Sequence, residues 1–263
     1  KICGRPLIGF LIDDLRKASL KDIIIIQGPK REIERELKDK SLKYAIQKKP
    51  TGTGDALLTA EKLIKSERFF VFNADDNEVG ENIKPVLARA GKSAAKLILL
   101  ASRTKTPWLF GILKTKRRRV LEIIEKPQPG RELSNLKNDN FFLFPREFFG
   151  YLKKASHHPF SLIYALNLYA RTNPVEMVLV RKATPSLKYP WHLFPILDSR
   201  LNSATFKAGM AKSAGLAKNV VVSGKVFIGE GARIGANTVI QGPGYIGRDC
   251  EIGVSNVLRG PFD

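Results

Sequence analysis

The stretch that decides the fold is Phe69-Phe70-Val71-Phe72-Asn73-Ala74-Asp75-Asp76-Asn77-Glu78-Val79. Its aromatic and β-branched start predicts a buried strand, and that strand ends in a cluster of acidic and amide side chains. In an open α/β sheet, ligands bind beyond the carboxyl ends of the strands, and a carboxylate placed there suits Mg²⁺. Asp75 and Asp76 are equally typical of turns and helix N-caps, so this stretch alone leaves both interpretations open.

The composition indicates a globular protein without a membrane span. The chain has 263 residues, 43% of them hydrophobic, enough for one large domain or for one domain with a smaller appendage. The longest apolar runs, at 23–26 and 97–101, are far too short to cross a bilayer, and we find no signal peptide. Two distant cysteines, Cys3 and Cys250, suggest neither a disulfide framework nor a metal cluster, so we expect a cytoplasmic protein.

The formal charge of +20 is compatible with nucleic acid, an anionic surface or a small anionic substrate such as a nucleotide. The basic residues are spread along the chain, and the densest run, at 114–119, is typical of a hairpin turn. Stacking aromatic residues do not interleave with the basic ones, so the sequence does not favour nucleic-acid binding.

The first hundred residues alternate helical and strand patterns. The elements are a helix at 7–16, a strand at 23–27, a helix at 30–38, a strand at 44–47, a helix after the loop 48–54, the opening strand at 69–73, a helix at 82–90 and a strand at 96–101. This order predicts βαβ units and an α/β domain with a mostly parallel, Rossmann-like sheet.

A different pattern follows Pro107. Strands at 108–114 and 120–125 flank the basic turn, and further elements follow: a strand at 138–144, helices at 145–154 and 159–171, a strand at 175–181 and a helix at 190–201 that contains Pro195. Such an insertion is expected to form a lid or second half over the ligand crevice.

The C-terminal segment carries a repeat of six residues. Its anchors are Leu216, Val222, Ile228, Ile234, Ile240, Ile246, Ile252 and Leu258. This period predicts a left-handed parallel β-helix built from hexapeptides. We therefore predict an α/β domain at 1–201, a linker at 202–215 and the start of the β-helix at 216–263. Such helices serve as trimerisation modules, acyltransferase domains or spacers.

Several motifs, in order, resemble those of the sugar-1-phosphate nucleotidylyltransferases, in particular two-domain enzymes similar to bifunctional N-acetylglucosamine-1-phosphate uridylyltransferase. They are G-R-P-L-I at 4–8, Q-x₄-G-T at 47–53, N-A-D at 73–75, F-G at 110–111, E-K-P at 125–127, the strand from Asn138 to Phe144, and Y-P-W at 189–191. The resemblance covers nearly the whole chain and implies transfer of a nucleotide from a nucleoside triphosphate, with UTP or dTTP favoured, to a sugar 1-phosphate.

On the nucleotide side, the resemblance implies that Gln47, Gly52 and Thr53 recognise the base. Asp75 is implied as the catalytic residue that holds Mg²⁺ between the phosphates, which favours Asp75 over Asp76. Phosphoryl chemistry of this kind depends on positioning and charge neutralisation.

On the sugar side, Gly111 is implied to let the backbone approach the sugar, while Glu125 and Asn138 bind its hydroxyls. Lys126 is implied as a second catalytic residue that meets the sugar phosphate as a point charge. Asp139-Asn140 stands where the family pattern has a small residue and glycine.

Two departures leave alternatives open. The family's Gly-rich phosphate loop precedes the first residue, so we expect a fragment cut at both ends with weak or no activity. Ser186 occupies roughly the position of a second metal ligand. The alternatives are a non-catalytic regulatory or assembly subunit of the same fold, and a bifunctional enzyme whose acetyltransferase activity lies in a longer β-helix. A homo-oligomer, a trimer through the β-helix, is expected.

Overall fold

The computed structural model describes residues 1–77, 79–155, 160–181, 187 and 189–263. Contacts divide the chain into two compact units. One comprises Leu11–Thr184, and the other combines Lys1–Phe10 with Pro185–Asp263. This grouping does not follow the predicted boundary after residue 201, which rests on sequence pattern and stays a prediction. Among the described residues, no helix is both long and apolar enough to cross a membrane.

The larger unit alternates strands and helices, as the sequence predicts. From the N-terminus its elements are α1 (Leu7–Lys17, which begins in the other unit), β1 (Ile24–Gln27), α2 (Glu32–Leu37), β2 (Lys43–Ile46), α3 (Thr53–Ala60), β3 (Arg68–Val71), α4 (Gly80–Gly91), β4 (Leu97–Arg103), β5 (Gly111–Lys116), β6 (Arg119–Glu125), β7 (Leu136–Pro145), α5 (Phe148–Lys154), α6 (Ser161–Thr172) and β8 (Val175–Leu179). A short 3₁₀ helix, Pro107–Leu109, precedes β5. The opening strand therefore ends at Val71, two residues before the predicted end.

The described strands of this unit form two sheets. β1 and β2 pair in parallel, and six strands form the order β3-β7-β4-β8-β6-β5. β3 and β4 each pair antiparallel with β7, and β8 pairs parallel with β4, so β3, β4 and β8 share one direction. The mostly parallel arrangement is thus confirmed for the βαβ strands. The insertion after Pro107 changes which strands lie next to each other in this sheet. It places β7 between β3 and β4 and adds the antiparallel β5–β6 hairpin around the basic turn.

The centre of the large sheet is β4, which lies between β7 and β8. Its residues from Leu97 to Ala101 are all 0% exposed, as expected for a strand covered on both faces. One apolar cluster joins β4 to side chains from α3, α5 and α6 and to Ala45 of β2. This shared core fixes the loops at the strand ends, where the candidate site lies.

The part of the smaller unit that the structure describes contains α7 and nine short strands. These elements are α7 (Leu193–Asn202), β9 (Gly209–Met210), β10 (Gly215–Leu216), β11 (Val221–Ser223), β12 (Val226–Ile228), β13 (Arg233–Ile234), β14 (Val239–Gln241), β15 (Gly244–Ile246), β16 (Glu251–Ile252) and β17 (Val257–Arg259). α7 begins at Leu193, three residues after the predicted start at 190, and Pro195 therefore falls in its first turn, where proline is tolerated.

These strands stack with a constant register. Each of three parallel sheets joins residues 18 apart, as in Val221↔Val239 and Val239↔Val257. Three hexapeptides complete 18 residues, so this is the register that the repeat predicts; the left-handed coil itself stays a prediction. The central anchors, Ile228, Ile234, Ile240 and Ile246, are 0–4% exposed. The predicted linker contributes β9, which pairs with β12.

Candidate functional site

The acidic cluster after β3 forms a turn that uses its two neighbouring carboxylates differently. Asp76 is 2% exposed; its Oδ2 accepts a hydrogen bond from the Asn73 backbone N–H at 2.9 Å, and its own N–H donates to the Asn73 carbonyl at 3.1 Å. Asp76 therefore takes the turn role that the sequence had left open. Asp75 is only partly buried, and its carbonyl accepts from Asn77 Nδ2 at 2.9 Å.

Carboxyl groups dominate the electrostatic environment of this turn. The pKa of Asp76 is raised to about 7, chiefly because the carboxyl group is buried. The Asn73 hydrogen bond and Lys137 act to lower this pKa, and the negative charges of Asp75 and Asp139 act to raise it. The carboxyl groups of Asp75 and Asp139 therefore both lie within electrostatic reach of Asp76.

The donor chemistry of this turn suits Mg²⁺. The described residues contain no group of three or more His, Cys, Asp or Glu side chains arranged to hold a metal. Mg²⁺ does not require such a cage, because it is commonly held by one or two carboxylates together with substrate phosphates. Asp75 fits that role, since its carboxylate is partly exposed beside a buried acidic neighbour. Ser186, at the position of the second ligand, lies outside the described residues.

β7 carries a charge pair that the sequence analysis missed. Lys137 and Asp139 form an ion pair with side chains 13% and 1% exposed. Ser102 of β4 donates to Asp139 Oδ1 at 3.0 Å, and the Lys137 ammonium lies 4.7 Å from the ring centroid of Phe110. The signal was available as two charged residues of alternate position, Lys137 and Asp139, in the polar first half of a strand whose second half is apolar. The pair joins this part of β7 to Phe110, which precedes β5.

Gly111 and Glu125 face each other at the start of the β5–β6 hairpin. A Cβ on Gly111 would stand 2.7 Å from Glu125 Oε2 and 3.2 Å from Ile123 Cγ2, so a side chain would displace the carboxylate. Lys126 follows in the left-handed region with φ 45°, and its N–H donates to the Phe110 carbonyl at 2.9 Å. The Lys126 side chain is exposed. The structure therefore brings Gly111 and Glu125 together and sets Lys126 beside them.

Asn138 is buried, 3% exposed, and is bound to Asn140. Its Oδ1 accepts from the Asn140 backbone N–H and its Nδ2 donates to Asn140 Oδ1, both at 3.0 Å. Asn140 has φ 54°, a conformation for which glycine is best suited and asparagine is tolerated. Asn140, which stands where the family pattern has glycine, thus adopts the backbone conformation that suits glycine and adds a side-chain amide.

The loop between β2 and α3 carries the third group of predicted residues. Gln47 Nε2 donates to the Gly52 carbonyl at 3.0 Å, which closes the loop over five residues. Gly52 precedes α3 with φ 128°, outside the range that L side chains commonly adopt. Thr53 is the first residue of α3 and is exposed. Gln47 and Gly52 therefore lie together at the N-terminus of this helix.

Strand register relates the sugar-side residues to one another. β5 pairs with β7 through Ile112↔Lys137, so Gly111 and Asn138 each lie one residue from this pair. β4 also pairs with this part of β7, because its Ala101 lies opposite Asn138. The described contacts therefore form three groups in one unit: the acidic turn with Lys137 and Asp139, the hairpin start with β7, and the β2–α3 loop.

The model of the family described as "Nucleotidyl transferase" matches residues 1–182, well over half of the chain. The chain belongs to the nucleotidyl transferase family. The match covers all three groups of candidate residues, so the resemblance stated from motifs is confirmed at the level of the family.

Two curated relatives of this nucleotidyl transferase are named "Bifunctional protein GlmU". The protein from Clostridium kluyveri is 32% identical over 145 residues, which are 53% of this chain and 32% of the relative. The protein from Methanococcus maripaludis is 27% identical over 240 residues, 88% of this chain and 54% of the relative. The chain thus spans about half or less of the length of these relatives.

Solved structures share the fold at low sequence identity. A UDP-glucose pyrophosphorylase from Acinetobacter baumannii superposes with a TM-score of 0.63 at 19% identity, over 78% of this chain and 86% of that one. A putative glucose-1-phosphate thymidylyltransferase from Bacillus anthracis gives a TM-score of 0.62 at 19% identity, over 72% and 79% of the two chains. These likenesses establish the Rossmann-like nucleotidyltransferase architecture of this family member.

Proposed function

We propose that this protein transfers a nucleotide from a nucleoside triphosphate, UTP or dTTP, to a sugar 1-phosphate. A phosphate oxygen of the sugar phosphate attacks the α-phosphorus. The bond from the α-phosphorus to the bridging oxygen breaks, and pyrophosphate leaves with that oxygen. The products are a nucleotide-sugar and pyrophosphate. The family match and the names of the relatives support this proposal.

The observation that carries the proposal is the carboxylate of Glu125 standing over Gly111. No side chain fits between the Gly111 backbone and Glu125 Oε2, only 2.7 Å from where a Cβ would be. A carboxylate accepts hydrogen bonds from vicinal hydroxyls, and glycine at position 111 leaves the room that the Glu125 carboxylate needs to lie against the backbone here. Asn138, one residue from the β5–β7 pair, lies at the same edge.

The nucleotide is assigned to the β2–α3 loop and the acidic turn. The Gln47–Gly52 hydrogen bond holds the loop closed, so that backbone and amide groups around Thr53 are ordered before a base binds. Asp75, at the end of β3, would hold Mg²⁺, which when bound neutralises phosphate charge. Lys126, exposed beside Glu125, supplies a positive charge for the phosphate of the sugar.

The C-terminal stack is proposed to be a left-handed β-helix through which the protein forms a homo-oligomer, a trimer. The support is the 18-residue register of its three parallel sheets and the buried central anchors. Light scattering of the purified protein measures the mass of the assembly, and a monomer at micromolar concentration would contradict this assignment.

Pyrophosphate release tests the function. The protein expressed from its natural start codon is given UTP or dTTP, glucose 1-phosphate or N-acetylglucosamine 1-phosphate, and Mg²⁺. Asp75→Asn should lower the rate by about 100-fold or more, because it removes the charge that faces the phosphates. The matched control is Asp22→Asn, which changes an exposed carboxylate paired with Lys43 and should leave the rate unchanged. A folded protein that releases no pyrophosphate with any of these pairs would contradict the enzyme and favour a non-catalytic subunit.

A further inference from the structure

We propose that Asn140 is a specificity-determining residue that donates a hydrogen bond from its side-chain amide to an oxygen of the sugar phosphate. The inference rests on the proposed function, because it places the sugar at the β5–β7 edge. It differs from the role that the sequence suggested for Asn138, which is buried and already bonded at both polar atoms of its side chain.

The first step is the irregularity that exposes Asn140. The pairing of β4 with β7 shifts register between Leu99, opposite Phe142, and Ala101, opposite Asn138. Between these pairs β7 has three residues, 139–141, where β4 has only Leu100, so β7 has two extra residues here, and Asn140 lies within this bulge with φ 54°. Bulges of this kind re-aim side chains and occur often beside active sites. Asn140 is partly exposed, unlike Asn138.

The second step is the hydrogen-bond inventory of the amide pair. A backbone N–H donates to an acceptor, and the acceptor of an asparagine side chain is its oxygen. The hydrogen bond from the Asn140 backbone N–H therefore shows which end of the Asn138 side-chain amide is Oδ1. Asn138 Nδ2 then donates to Asn140 Oδ1, which fixes the Asn140 amide in turn. Among the described residues, no hydrogen bond uses Asn140 Nδ2. The amide that remains for a ligand is therefore a donor.

The third step is the neighbourhood of this donor. Asn138 lies one residue from the β5–β7 pair Ile112↔Lys137, beyond which Gly111 faces Glu125. Glu125 is an acceptor, so the edge presents an acceptor on β6 and a donor on β7. A sugar hydroxyl both donates and accepts, and a phosphate or carbonyl oxygen accepts, so a sugar phosphate can satisfy both groups.

The test uses Asn140→Gly, which removes the amide while keeping a residue suited to φ 54°. Loss of one hydrogen bond should weaken the affinity for glucose 1-phosphate about three- to tenfold, with KM for the nucleoside triphosphate unchanged. The melting temperature should fall modestly, because the buried Asn138 Nδ2 loses its acceptor, Asn140 Oδ1. Affinity is measured by titration calorimetry with glucose 1-phosphate, and KM by pyrophosphate release.

The chain offers a closely matched control. Asn237 also has a positive φ, 60°, and its Oδ1 also accepts from the Nδ2 of a second asparagine, Asn219, at 3.1 Å. Asn237→Gly removes the same kind of bond in the C-terminal stack and should leave both constants unchanged.

The outcomes separate this inference from the function. Equal affinity of the wild type and Asn140→Gly for glucose 1-phosphate, or no binding by either, would overturn the inference. A rise in both KM values would assign Asn140 a structural role and would overturn the inference as well. Binding that Asn140→Gly weakens, in a protein that releases no pyrophosphate, would leave the inference standing and reject the enzyme.

Discussion

Replacing Gly111 with alanine should separate sugar binding from stability. A Cβ at this position would lie 2.7 Å from Glu125 Oε2, whereas an ordinary contact is 3.4 Å or more, so the carboxylate must retreat by about 0.7 Å. The atom that moves is the end of a flexible side chain, and Ile123 Cγ2 at 3.2 Å must yield only slightly. We therefore expect a loss of stability below about 1 kcal/mol.

The effect on the sugar should be much larger. A hydrogen bond to a charged group contributes about 1.5–3 kcal/mol, and moving Glu125 by this distance removes it. That energy corresponds to an increase of about 10- to 150-fold in KM for the sugar phosphate, with KM for the nucleoside triphosphate unchanged.

The assay is pyrophosphate release at varied sugar 1-phosphate, together with thermal unfolding of each variant. Gly150→Ala is the control, because Gly150 lies in α5 with nothing within 4 Å of the place where a Cβ would stand, and alanine favours a helix. If Gly111→Ala keeps KM for the sugar phosphate within about twofold of the wild type, the assignment of Glu125 to the sugar is refuted.

Two further predictions concern stability. Gly54→Ala should lower the melting temperature, although alanine favours helices. The new Cβ would stand 2.9 Å from the backbone N of Leu162, and a backbone atom cannot move alone. Thermal unfolding of this variant beside Gly150→Ala measures the effect, and an unchanged melting temperature would contradict the prediction. Hydrogen bonds from Ser41 and Arg16 lower the pKa of Asp39 to about 2, so its stabilising contribution is present above about pH 4 and is lost as the pH falls towards 2. Urea unfolding of Asp39→Asn and wild type should therefore differ at pH 7 and converge near pH 2; a constant difference would contradict it.

The sequence predicts most of the fold because its periodic signals are local. The six-residue spacing of aliphatic anchors already contains the 18-residue register of the stack, since each anchor faces the same interior. Strand β4 was equally readable, because a run as apolar as 97–101 is typical of a strand buried on both faces. The position of β7 between β3 and β4 was not readable, because strand order depends on contacts distant in sequence.

The candidate site divides in the same way. The motifs predicted Gln47 and Gly52, and the structure joins them by a hydrogen bond. The burial of Asp76 and the Lys137–Asp139 pair depend on which residues lie across from them in the sheet, which no local pattern encodes. The motif also selected Asn138 but could not show the adjacent bulge that contains Asn140, because a bulge is a property of two paired strands.

The constant register of the stack restricts how this protein can change in length. Gly235 lies so close to the next layer that a Cβ would stand 2.5 Å from the Gly253 carbonyl carbon, so neighbouring layers must stay aligned residue by residue. An insertion of six residues would rotate everything after it by one face and would place side chains where only glycine fits. An insertion of 18, the spacing of paired residues, would restore every pair. Related proteins should therefore gain or lose this segment in whole layers, while the larger unit tolerates single-residue changes in its loops.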